Sequence, residues 1–337
     1  MELPSLDKSI FPCPLNAGWE LLRTIEIPQK TKSKSIVGGL SGISYDKNND
    51  DLWLISDNVE SYLLRIRDFK NFIQKLNNIT INSNIEKLTL KDKSGFKPKL
   101  KIDGEAIALD KQNVLILNES RKLEEISNDN VFYNQSIMTY DLETGNLIKV
   151  IKLPQTFKYG TSGLESLTRI EDKGLIIATE GRNKHVYYKH NIVKLIERKL
   201  PYLIKESNSK SYKSARYIYI DKKLKKRGIN EMKTNGKLRD ILSVNGTNNI
   251  LALSTKDKNS SIDLYKYKLK GNKLKISGPI FNWKINDKRK WEGITIGPTT
   301  NEGKSTILLI NDNDLKQSRK NIISILTPNK SDICRSS

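Results

Sequence analysis

"KWEGITIGPTTNEGKSTILLINDND", residues 290–314, sets an acid ahead of an alternating apolar strand, then a polar turn, a second apolar strand and two further aspartates. β-formers bounded by turn residues read as a hairpin. In an antiparallel hairpin the first residue of strand one lies beside the last residue of strand two, so Glu292 is expected close to Asp312.

The pattern recurs in "LSGISYDKNNDDLWLISDN" (40–58), "GEAIALDKQNVLILNES" (104–120), "LESLTRIEDKGLIIATEG" (164–181) and "RDILSVNGTNNILALST" (239–255). Aligned on an acid or serine followed by a mostly small residue, an aliphatic and another small residue, the units begin at Ser41, Glu105, Glu165, Asp240 and Glu292. Four of the five second strands finish on a carboxylate, at Asp57, Glu119, Glu180 and Asp312. Every hairpin thus delivers its acids to the same rim.

Further strand-like stretches follow each hairpin, giving four strands per unit. Such repetition predicts an all-β protein, a β-propeller of five or six blades whose first strands line a central channel. The whole chain, 1–337, reads as a single propeller domain, with a helical insertion near 189–207 ("KHNIVKLIERKLPYLIKES") in the gap where a sixth blade could hide. "GWELLRTIEI" (18–27) has no hairpin partner of its own and is expected to close the ring beside "NIISILTP" (321–328). That pairing brings Cys13 and Cys334, the two cysteines of the chain, to the same end of the sheet, where a disulfide would imply an oxidising compartment.

With 36% hydrophobic and 29% charged residues, the composition is that of a soluble globular protein. No apolar run reaches the roughly 18 residues of a membrane-spanning helix, and the N-terminus lacks the pattern of a signal peptide. The net charge of +21 points to an anionic partner, or to a base-composition bias that favours lysine. No zinc-finger, helix-turn-helix or RNP-type signature accompanies it, so an anionic small molecule is preferred to specific nucleic acid. A monomer is expected.

In the order and spacing of these motifs the chain resembles the phytase-like family described by esterase-like activity of phytase, from about Gly38 to Leu326. The resemblance implies a β-propeller, often exported to the periplasm or secreted, with phosphoester or carboxyl ester hydrolase activity. One departure stands out: the fourth unit commonly ends in a glutamate-arginine pair in the family, and here reads Ser254-Thr255-Lys256.

Carboxylates crowded at one mouth repel one another, and a bound hard cation, raised carboxyl pKa values or interleaved basic side chains would each relieve the repulsion. Glu105, Glu165 and Glu292 are the candidate catalytic acids or bases. Asp57, Glu119, Glu180, Asp312 and Asp314 are the candidate metal ligands, with calcium, which takes six to eight oxygens, as the expected ion. Arg121, Arg169, Arg182 and Arg239 follow or precede the acids and are candidates for a substrate anion, or else local salt-bridge partners. His185 and His190 lie in no phosphatase-like arrangement, and no G-x-S-x-G elbow is present. Two readings remain: a metal-assisted hydrolase of phosphate or other anionic esters, and a non-catalytic propeller that binds a ligand or protein at the same mouth.

Overall fold

The computed structural model describes residues 10–29, 37–57, 62–74, 84–98, 102–119, 135–154, 163–181, 214–287, 289–313 and 318–331. The first strand, β1 (Trp19–Ile27), stands apart from those that follow it in sequence. Blade one is β2 (Leu40–Asp46), β3 (Asp51–Ser56), β4 (Tyr62–Ile66) and β5 (Ile85–Thr89), with a short helix, α1 (Phe69–Gln74), before its last strand. Blade two is β6 (Gly104–Asp110), β7 (Asn113–Asn118), β8 (Ser136–Asp141) and β9 (Leu147–Lys152). Blade three is β10 (Leu164–Ile170), β11 (Gly174–Thr179), β12 (Ser214–Asp221) and β13 (Lys226–Lys233). Blade four is β14 (Lys237–Val244), β15 (Asn249–Lys256), β16 (Asn259–Lys270) and β17 (Lys273–Ile285). Blade five is β18 (Trp291–Ile296), β19 (Ile307–Asn311) and β20 (Asn321–Pro328), with β1 as its outer strand.

These five antiparallel sheets form a five-bladed β-propeller. Each inner strand packs on the next, β2 on β6, β6 on β10, β10 on β14, β14 on β18 and β18 on β2. Because β10 meets β14 directly, no sixth blade enters the ring between them, which corrects the six-bladed alternative. The helical reading of 189–207 lies outside the described residues.

Second strands have apolar centres because they are covered on both faces. Asp51–Ser56 of β3 and Ile307–Asn311 of β19 are buried at every position, whereas outer strands such as β13 are largely exposed. The buried apolar residues fall into clusters that each join two adjacent blades. Leu54 and Tyr62 of blade one meet Leu308 and Ile310 of blade five, and Tyr217 of blade three meets Tyr265 and Leu274 of blade four. Trp291 and Trp53 belong to such clusters, so both indoles are core residues. The inner strands approach closely enough that a Cβ on Gly42 would lie 2.9 Å from the Cα of Ala106 in the next blade.

The ring closes as expected. β1 pairs antiparallel with β20 from Trp19 opposite Pro328 to Ile27 opposite Asn321. Cys13 is disulfide-bonded, and Cys334, the other cysteine of the chain, lies outside the described residues. No helix among those residues is long and apolar enough to cross a membrane.

Candidate functional site

The inner strands share one irregularity. In each blade the ladder between strands one and two slips by one residue near its start, leaving Ser41, Glu105, Glu165, Arg239 and Glu292 as the extra, unpaired residues. A β-bulge of this kind re-aims the side chain it displaces. The fourth member is a correction to the repeat alignment, since Arg239, and not Asp240, occupies the register of the glutamates.

Asp240 does a different job. Its carboxylate accepts the N–H of Ile241 at 2.8 Å and the N–H of Ile294, in blade five, at 3.0 Å, which ties two inner strands together. Burial pushes its carboxyl well above the usual range.

Two further positions repeat around the mouth. Asp57, Glu119, Glu180 and Asp312 follow the second strands, and their N–H groups donate to the carbonyls of Gly39, Asp103, Gly163 and Lys290 at 2.8, 2.9, 2.9 and 3.1 Å. In blade four the paired residues Lys237 and Thr255 take these places. Asp103, Lys237 and Lys290 thus stand two residues before a bulge, a position that the repeat analysis overlooked.

These positions divide the mouth electrostatically. On the side of blades one and two, Asp103, Glu105 and Glu119 each present an oxygen within 4.8 Å of the others. Glu119 is buried and packs against the neighbouring blade, where a Cβ on Gly163 would come within 2.7 Å of its Oε1. Burial holds the Glu105 carboxyl well above its ordinary pKa, and the charges of Asp103, Glu119, Asp57 and Glu292 push it further in that direction.

On the side of blades three to five, basic groups are interleaved. Arg239 is 8% exposed, and its Nη1 lies 3.1 Å from Glu292, 3.5 Å from Glu180 and 3.8 Å from Glu165. Lys237 pairs with Glu180, and Lys290 reaches Glu292 at 2.9 Å and Asp312 at 2.8 Å. Burial raises the Glu165 carboxyl well above its usual value and the charges of Glu105 and Glu292 add to it, outweighing Arg239 and Lys237. Burial, together with the Arg239 charge, lowers the Lys237 ammonium against the pull of Glu165 and Glu292. For Lys290 burial works downward, but Glu292 and Asp312 prevail and raise it. Arg169 does not join this group. It lies at the turn end of β10 on the opposite face, paired with Asp110 at 2.7 Å and the carbonyl of Leu109 at 2.9 Å. Arg121, Arg182 and Asp314 lie outside the described residues.

The donors on the acidic side are all hard oxygens, which suits a calcium-like cation and not a thiophilic one. Among known proteins, the family described as "Phytase-like: Esterase-like activity of phytase" matches residues 35–315. No curated protein matches the chain. Among solved structures, hydrazine synthase of Kuenenia stuttgartiensis is similar at 11% identity and a TM-score of 0.39, covering 88% of this chain. The chain spans 66%, just under two thirds, of that protein's chain. The structure of U3-55K is similar at 7% identity and a TM-score of 0.40, with 92% of this chain and 98% of the other covered. At these values neither likeness bears on function.

Proposed function

The chain belongs to the phytase-like family, and on that premise we propose that its channel mouth is the active site of a hydrolase of phosphate or other anionic esters, assisted by a divalent cation. The observation that carries this reading is the approach of Asp103, Glu105 and Glu119 within 4.8 Å of one another. Three carboxylates so close are mutually destabilising as anions, and a hard cation turns the same crowding into affinity. Asp103, Glu105 and Glu119 are the residues that would hold it, with Asp57 at the same rim. Such an ion, when bound, neutralises ester oxygens and acidifies a coordinated water.

The other half of the mouth supplies the remaining roles. Glu165, buried and with its carboxyl raised, retains a proton at pH values where an exposed glutamate has lost it, the state required of a general acid. Arg239, Lys237 and Lys290 supply positive charge next to it for the anionic group of a substrate. A specific observation favours the second reading, a binding propeller without turnover: these three cations are already engaged by Glu180, Glu292 and Asp312, with which an anionic substrate must compete.

Turnover of phosphomonoester, phosphodiester and carboxyl ester chromogenic substrates, measured with calcium and with chelator, separates the two. Calcium-dependent hydrolysis that is lost in E105Q supports the hydrolase. Saturable calcium binding with no turnover of any substrate supports the binding module.

A further inference from the structure

On the face opposite the mouth, a cleft of about 310 Å³ opens between blades three and four. Its walls are the β10–β11 turn, the β12–β13 turn and the tip of the β16–β17 hairpin, which runs past the end of β15 from Lys266 to Lys270. The β12–β13 turn reads "DKKLKKR", residues 221–227, a dense basic run with no role at the mouth.

Lys173, Lys222, Lys223 and Arg227 line the cleft, along with Asp172 and Asp221. The two acids differ in what they offset. Asp221 is committed to its own turn: it accepts the N–H groups of Lys223 and Lys225 at 2.9 Å each and the Arg227 Nε at 2.8 Å. Its charge is therefore matched by Arg227, which leaves Asp172 alone against Lys173, Lys222 and Lys223. The turns that carry these lysines are fixed in place. Tyr219 donates its hydroxyl to the Lys173 carbonyl at 2.6 Å, the Lys173 ammonium lies 5.7 Å from the centroid of Tyr267, and Asp221 caps the second turn. Fixed backbone beneath lysines that line one cleft reduces the ordering cost of binding an anion.

We propose that this cleft is a binding site for a small polyanion carrying two or more phosphate-type groups, separate from the mouth and independent of its activity. The lysines come from two separate turns of blade three, Lys173 from one and Lys222 and Lys223 from the other, so a ligand with more than one anionic group can engage both turns. The general positive charge of the protein is the competing explanation, and the β16–β17 hairpin supplies its control. Lys268 lies opposite Lys275, and Lys270 opposite Lys273, and by strand alternation all four sit on the face of the hairpin away from Leu269 and the cleft.

The test is calorimetric titration of the whole chain with inorganic pyrophosphate in metal-free buffer. The parent is expected to saturate at one site. The variant K173Q/K222Q/K223Q should bind about tenfold more weakly or worse, whereas K268Q/K270Q/K275Q, which removes the same charge from the other face, should change the affinity by no more than about threefold. Amide resonances of Lys173, Lys223 and Gly271 should shift on titration. Absence of saturation in the parent, equal weakening of both variants, or shifts centred on Lys237 and Lys290 would each overturn the proposal.

Discussion

Arg239 Nη1 lies 3.1 Å from Glu292 Oε2, a contact between the bulge residues of adjacent blades in which the one cation of that register sits between the acids on either side. Both side chains are nearly buried. Removing one partner of a buried pair leaves the other charge without compensation, at a cost of about 3–5 kcal/mol. R239A should therefore lose about 3 kcal/mol in urea denaturation, with R239K recovering part of it. A loss under about 1 kcal/mol would mean that the mouth is hydrated enough to screen these groups.

The raised carboxyls set the pH response of the metal-free protein. The folded chain retains the Glu165 proton above the ordinary value of 4.5, where the unfolded chain has released it. The folded state binds more protons in that window, so stability is full below 4.5 and falls as the pH rises towards the folded value. E165Q, permanently neutral, should flatten this slope. Denaturation in chelator from mildly acidic to mildly alkaline pH measures it, and an unchanged slope would show that Glu165 ionises normally.

A cation held by Asp103, Glu105 and Glu119, as proposed above, would bind only the folded state. At about a hundred times its dissociation constant it should add about 2.7 kcal/mol. Calcium should raise the melting temperature of the parent and leave that of D103N/E119Q unmoved. Equal shifts in both proteins would place the ion elsewhere.

Asp240 predicts a graded response. Alanine orphans the N–H groups of both Ile241 and Ile294, costing about 2–6 kcal/mol at about 1–3 kcal/mol per buried group. Asparagine keeps one acceptor and should cost about half as much. Equilibrium unfolding of D240A and D240N checks the order, and a neutral D240A would show that water replaces the carboxylate.

The blade repeat was legible because strand alternation and turn chemistry are local, and the convergence of Glu105, Glu165 and Glu292 follows from hairpin geometry alone. The bulge was not legible. It adds one residue without changing the apolar pattern, and since "RDILS" offers an acid at the second position, Asp240 aligned with the glutamates and Arg239 was set beside the register. Asp103 and Lys237 escaped for a related reason: they precede the apolar run and show no periodicity of their own. Arg169 neighbours Glu165 in sequence, but four residues of extended strand carry it to the other face, where it pairs with Asp110.

The seam between β1 and β20 has a consequence for the order of synthesis on the ribosome. Blades one to four are each continuous in sequence and can assemble as their residues emerge, whereas the fifth cannot be completed until Asn321–Pro328 has been made. Until then β1, translated ahead of all five inner strands, lacks the partner it has in the finished ring, and Ile25 and Ile27, buried there, stay uncovered. An unpaired edge that persists through elongation invites pairing with other chains. Glu20, Arg23 and Glu26 distribute charge along that strand, a safeguard through the long interval before β1 and β20 meet.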